Sequence, residues 1–147
     1  MAARRGAAAD VKHAIALDPL LASSWRLLSF TIDSGQNPES AVSAAERAIE
    51  LGPGDPDNWV ALATALHNAG RTQAVVEAFE KAISWSPLRP PHYASVAARL
   101  RYSVQDYENA LRFARECMDR TPAMGFCKAL WLSSLIRTGH AVEAEAA

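Results

Sequence analysis

The stretch 81–93, KAISWSPLRPPHY, decides how the chain is to be read. Its second part, SPLRPPHY at 86–93, holds three prolines in eight residues. A segment like that serves as a flexible linker, as a proline-rich ligand for another protein's groove, or as a tight turn inside a packed domain. Local composition does not separate the three, but spacing along the chain does. Pro87 lies six residues before Tyr93, and the same pair recurs as Pro19 with Trp25 and Pro53 with Trp59. The aromatics step by 34 and 34, the prolines step by 34 and 34, and Pro122 follows Pro87 after 35. The phrases before the first three prolines are alike: HAIALDP, RAIELGP and KAISWSP, with RECMDRTP a looser fourth. SPLRPPHY keeps this phase, so it reads as a joint within an array of repeats.

Each unit reads as two helices. After Trp59, the residues Leu62, Ala63 and Leu66 form an apolar face at helical spacing. HNAG at 67–70 breaks the pattern, with Gly70 suited to a left-handed helix end. A second segment at 71–87 carries Val75, Phe79, Ala82 and Ile83 on one face, then Pro87, where a helix cannot easily continue. The Trp25 unit repeats this with Leu28, Ile32, Gly35, Ala41, Ala45, Ala48, Ile49 and Pro53, and Ser23 and Ser24 suit its helix start. The Tyr93 unit has Val96, Ala97 and Leu100, then QDYENALRFA at 105–114. Its one extra residue is assigned to the turn between its helices. Pro90 and Pro91 suit the opening turn of its first helix.

This pattern resembles the tetratricopeptide repeat, a 34-residue helix–turn–helix unit. Trp25, Trp59 and Tyr93 match its large first-helix slot, Leu28, Leu62 and Val96 its leucine slot, and Ser29, Ala63 and Ala97 its first small slot. Ala41, Val75 and Ala110 begin the second-helix core, while Ala48, Ala82 and Cys117 match the second small slot. Phe79 fills the second-helix aromatic slot, where Ala45 and Ala114 imply thinner packing. The resemblance covers nearly the whole chain. It implies an all-α, right-handed superhelical solenoid of antiparallel helix pairs, about nine helices with partial units at both ends. One solenoid domain is expected over 1–147: a lone second helix at 1–19, full repeats at 20–53, 54–87 and 88–122, and an incomplete repeat at 123–147. Leu130, Trp131 and Leu135 should then lack part of a covering helix. The expectation is a fragment of a longer protein, or ends that pair with another copy.

Composition narrows the function. The 147 residues are half apolar and 21% charged, with a formal net charge of −1. A strongly basic nucleic-acid binder is not indicated. No apolar run approaches a membrane span, and MAARRGAAAD at 1–10 lacks the apolar core of a signal peptide. A cytoplasmic protein with two reduced, partly buried thiols, Cys117 and Cys127, is expected. His13, His67, His92 and His140 form no ligand pair with Cys, Asp or Glu, so neither a metal nor a cofactor is expected. No nucleophile elbow and no glycine-rich phosphate loop is present, and the chain reads as a non-enzyme.

A stack of helix pairs has a concave face lined by first helices. Positions one, five, eight and nine after each aromatic slot give Arg26, Phe30, Asp33 and Ser34; Val60, Thr64, His67 and Asn68; and Ala94, Ala98, Arg101 and Tyr102. Phasing the last helix by Gly139 adds Ala129, Ser133, Ile136 and Arg137. All of these except Ser34, Ala94, Ala129 and Ile136 make up the candidate partner-binding set. Residues 1–85 hold 7 basic and 10 acidic side chains, whereas residues 86–137 hold 8 basic and 4 acidic. The second part, with a net +4 (8 − 4), suits an acidic protein or peptide partner, through Arg101, Tyr102 and Arg137. Self-association through the solenoid ends is the alternative.

Two narrower resemblances bear on partner and context. Some tetratricopeptide domains clamp the carboxylate end of heat-shock chaperones. Arg26 fits one position of that clamp, but Phe30, Ala61, Pro91 and Ser95 stand at the others, so the function is not carried over. RPPHYASVAARLRYSVQDYENAL at 89–111 and TGHAVEAEAA at 138–147 look like arrays at the C-terminus of bacterial adenylate or guanylate cyclases. That likeness implies a regulatory part of a larger signalling protein.

Overall fold

The computed structural model describes residues 2–32, 37–86 and 90–140. They form eight helices and no strand: α1 (Ala2–Leu17), α2 (Ala22–Thr31), α3 (Pro38–Leu51), α4 (Pro56–Asn68), α5 (Thr72–Trp85), α6 (Pro91–Ser103), α7 (Tyr107–Arg120) and α8 (Gly125–Arg137). Within each of the two units described below, consecutive helices pair antiparallel, as the repeat phase predicts. The stub of a ninth helix was expected on 141–147, outside the described residues. The chain divides into two compact units, Met1–Pro87 with α1 to α5 and Leu88–Ala147 with α6 to α8. Within the first, α2 also packs on α4; within the second, α6 also packs on α8.

Helix starts follow local chemistry. Proline stands in the first turn of α3, α4 and α6, where its missing N–H costs nothing. The side chains of Asn37, Asp55 and Asp106 accept from backbone N–H groups of Ser40, Asp57 and Asn109, which would otherwise be orphaned. α2 begins at Ala22 with no side-chain cap, so Ser23 and Ser24 lie inside its first turn and do not cap it.

The ends of three first helices share one motif. The Gly70 N–H donates to the His67 carbonyl at 3.1 Å and the Arg71 N–H to the Leu66 carbonyl at 2.9 Å. Gly139 and His140 repeat the pair on Ile136 and Leu135, and Gln105 and Asp106 on Tyr102 and Arg101. The turning residues have φ of +73°, +86° and +62°, the last on the non-glycine Gln105. These turns correct one expectation. Three residues join α4 to α5 and three join α6 to α7, so the turn has no insertion. Tyr93 stands ten residues before the last residue of α6, whereas Trp59 stands nine before the last of α4; the extra residue lengthens the end of the helix.

The six-residue proline–aromatic spacing also has a physical cause. The Trp25 indole N–H donates to the Pro19 carbonyl at 2.9 Å, and that of Trp59 to the Pro53 carbonyl at 2.9 Å. One bond thus fixes both the turn and the ring. The small and second-helix slots fill as the repeat phase predicts, while Trp25, Trp59, Leu62 and Val96 are half-buried. Ser29, Ala63 and Ala97 are buried, as are Ala41, Val75 and Ala110, and Ala48, Ala82 and Cys117. Ala45, Phe79 and Ala114 are buried between them. In the first unit Val11, Leu28 and Ala44 make one cluster with Ile15, Trp25 and Ile32.

Two further expectations are corrected. Leu135 is only 2% exposed, and Arg115 of α7 lies over the Trp131 ring at 5.4 Å, so the face expected to be bare is covered in part, with Leu130 and Trp131 half-buried. Cys117 and Cys127 are not free thiols: they form a disulfide between α7 and α8, with Cα atoms 6.1 Å apart. The turn at 121–124 folds the second small slot onto the third residue of the next helix, a pairing that emerges only from packing.

Candidate partner-binding site

The candidate set divides between the two units. In the first, α2 presents Arg26 and Phe30 and α4 presents Thr64, His67 and Asn68. Arg26 is already engaged: its Nη1 donates to Asp55 Oδ2 at 2.6 Å and to Asn58 Oδ1 at 3.1 Å. Asp55 caps α4, and Asn58 is fully buried, its Nδ2 donating to the carbonyls of Ala48 at 3.0 Å and Gly52 at 2.9 Å. Arg26 is therefore the outer end of a network that seats α4. Phe30 is 48% exposed, Asn68 is exposed, and Thr64 and His67 are half-buried. Val60 is buried and belongs to the packing. Asp33 lies outside the described residues.

In the second unit the counted residues gather more closely. Ala98 is fully buried and drops out as a lining residue, while Ser133 is half-buried on α8. Arg101 donates to Asp106 Oδ2 at 3.0 Å, and Asp106 also accepts from the Asn109 side chain at 2.9 Å, so Arg101 braces the cap of α7. Tyr102 at the end of α6 meets Tyr107 at the start of α7 edge to face, with ring centroids 5.2 Å apart. Arg137, in the last turn of α8, lies 5.7 Å from the Tyr107 centroid. A hydrogen bond with Tyr102, then charge interactions with Tyr107 and Tyr102, hold its guanidinium above its ordinary value, so it is cationic throughout the neutral range. It is exposed, and among the described residues its neighbours are these two tyrosines, where Arg26 and Arg101 each face an aspartate.

Three helices thus build one cluster of two half-buried phenols and an exposed cation. Counting along first helices finds Tyr102 and Arg137 but misses Tyr107, which heads a second helix and reaches the cluster only because the turn at 104–106 folds it back. Asp55 and Asn58 are missed likewise, although both flank the start of the Trp59 helix. Among the described residues no group of three or more His, Cys, Asp or Glu could hold a metal, and no helix is long and apolar enough to cross a membrane.

Paired helices, recurrent glycine-type turns and alanine-filled slots define an all-α helical-repeat fold similar to that of tetratricopeptide arrays. Residues 34–100 match the family model described as tetratricopeptide repeat. The fold is similar to two crystal structures of MamA, each at TM-score 0.77 and 16% identity. One match covers 97% of this chain and 83% of that one, the other 99% and 79%. A structure of Naa15/Naa10 bound to HypK-THB matches at TM-score 0.62 and 12% identity, over 95% of this chain and 21% of that one. At such identities the likeness concerns the fold. No curated protein matches the sequence.

Proposed function

We propose that this chain is a non-enzymatic interaction module that holds an acidic segment of a partner protein. The repeat type supports the general reading, because tetratricopeptide domains mediate protein–protein interactions, and the Naa15/Naa10 structure is of a complex bound to another protein. One observation carries the finer one: the exposed Arg137, set against Tyr102 and Tyr107 with no described carboxylate to neutralise it. A partner carboxylate fits there through charge-assisted hydrogen bonds, with the two rings beside the pair. The net positive charge of 86–137 adds to the attraction. Binding of an acidic peptide to the chain and to Arg137→Ala tests the reading. A loss of about tenfold is expected, the usual scale for one charge-assisted contact, and equal affinity would overturn it.

A regulatory role in a bacterial signalling protein, in a cytoplasmic setting, is part of this proposal and rests on the phrases at 89–111 and 138–147. The full reading frame tests it: an adjoining cyclase or DNA-binding domain supports the role, and unrelated neighbours contradict it.

Self-association is the second reading. Leu17, Leu20, Leu21 and Leu27 are all exposed around the α1–α2 junction, an apolar concentration that a second copy would cover. It predicts a mass that rises with concentration in sedimentation and falls to the monomer in Leu20→Glu. A monomer at all concentrations would contradict it. A charge at Leu135 would be a poor probe, since that side chain is buried in its own unit.

A further inference from the structure

The chain builds one joint twice. In the first unit Asn58, the third residue of α4, reaches back ten residues to the Ala48 carbonyl. In the second, Cys127, the third residue of α8, reaches back ten residues to Cys117, which stands in the slot of Ala48. All four residues are 0% exposed. The α3–α4 joint is closed by hydrogen bonds in any redox state. The α7–α8 joint is closed by a bond that a thiol can break.

α8 depends on that bond more than α4 depends on Asn58. α4 buries Asn58, Val60, Ala61, Ala63, Ala65 and Leu66, whereas α8 buries only Cys127, Ser134 and Leu135. Phe126 and Ile136 of α8 are 50% and 61% exposed. The two sulfurs sit in a small cluster with Ala94 and Met118, where a reduced cysteine still packs as a small apolar residue. Reduction therefore loosens α8 without emptying the core. α8 also carries Arg137, which completes the cluster with Tyr102 and Tyr107.

We propose that the Cys117–Cys127 bond is a reversible staple: oxidised, it holds α8 on α7 and keeps Arg137 beside the two tyrosines; reduced, it releases α8 and takes the cluster apart. It is a regulation of the binding site proposed above, and its effect on partner capture rests on that reading. In a reducing compartment a disulfide persists chiefly as a transient or sensing bond. The co-reactant is a thiol, small or protein-borne. Its thiolate attacks one sulfur and breaks the S–S bond, leaving a mixed disulfide, and a second thiol resolves that. One disulfide and two thiols give two cysteine thiols and one new disulfide, and the reverse exchange restores the staple.

Hydrogen exchange on the whole chain, oxidised and after dithiothreitol, tests the staple. Cys117→Ala is the control, because alanine fills that slot in Ala48 and Ala82. Reduction should speed exchange across 125–137 by at least about tenfold and leave α4 unchanged, and Cys117→Ala should exchange fast with or without reductant. A glutamate-rich peptide, titrated in parallel, should bind the oxidised chain about tenfold more tightly than the reduced one. Equal exchange in both states would overturn the staple, as would both cysteines proving alkylatable in the air-exposed chain. If exchange responds but the peptide binds neither state, the staple stands and the acidic-partner reading falls.

Discussion

Gln105 stands where Gly70 and Gly139 stand in their own turns, with φ of +62°. An L side chain in that region pays a steric penalty that glycine escapes. Gln105→Gly should therefore stabilise the fold by about 0.5–1 kcal/mol, read as a higher urea midpoint with unchanged slope; no gain would contradict the strain. At Gly70 the effect is reversed. A Cβ there meets nothing within 4 Å, so Gly70→Ala isolates backbone strain from crowding and should cost about 1 kcal/mol. Arg101 shows how position misleads at this scale. Its place on the helix suggested a free groove residue, but it braces Asp106, so Arg101→Glu would disturb the α7 cap before it touched any partner. Ala82 is fully buried, and Ala82→Arg should damage folding by about 3 kcal/mol or more through overpacking and a buried charge.

At the scale of elements, the joints between units matter more than the helices. Asn58 satisfies two carbonyls at the end of the preceding helix and also accepts from Arg26. Asn58→Ala should cost about 2 kcal/mol, because buried carbonyls lose their donor, with exchange rising first at the start of α4. Stability equal to that of the parent chain would show the network to be idle. The close approach has a second signature at Gly52, where a Cβ would sit 3.1 Å from Asn58 Nδ2. Helix pairing and alanine slots were legible in the sequence because they follow from period and volume, whereas of the nine helices expected eight lie among the described residues. The joints were not. Asn58, Cys127 and Tyr107 are unremarkable in a linear pattern, and each acquires its role from a carbonyl, a sulfur or a ring on another helix. The 34-residue phase did contain one of them in disguise, since the proline–tryptophan interval is the span of a single indole hydrogen bond.

At the scale of the whole molecule, the proposed binding chemistry centres on one cluster of the second unit. Arg26 and Arg101 are spent on structure and Val60 and Ala98 on packing, while in the second unit Arg137 faces solvent beside two half-buried phenols. Capture of an acidic segment should weaken as salt rises, since an exposed pair is screened. It should also fail as the partner's carboxylates protonate, near pH 4 and below, while Arg137 keeps its charge. The most direct measurement compares two peptides of equal length, one glutamate-rich and one with glutamine in its place, by titration against the chain, Arg137→Ala and Tyr107→Ala, each with its melting temperature recorded. The account predicts binding of the acidic peptide alone, weakened about tenfold in both variants with melting unchanged. Equal affinity for the two peptides, or full affinity in both variants, would contradict it.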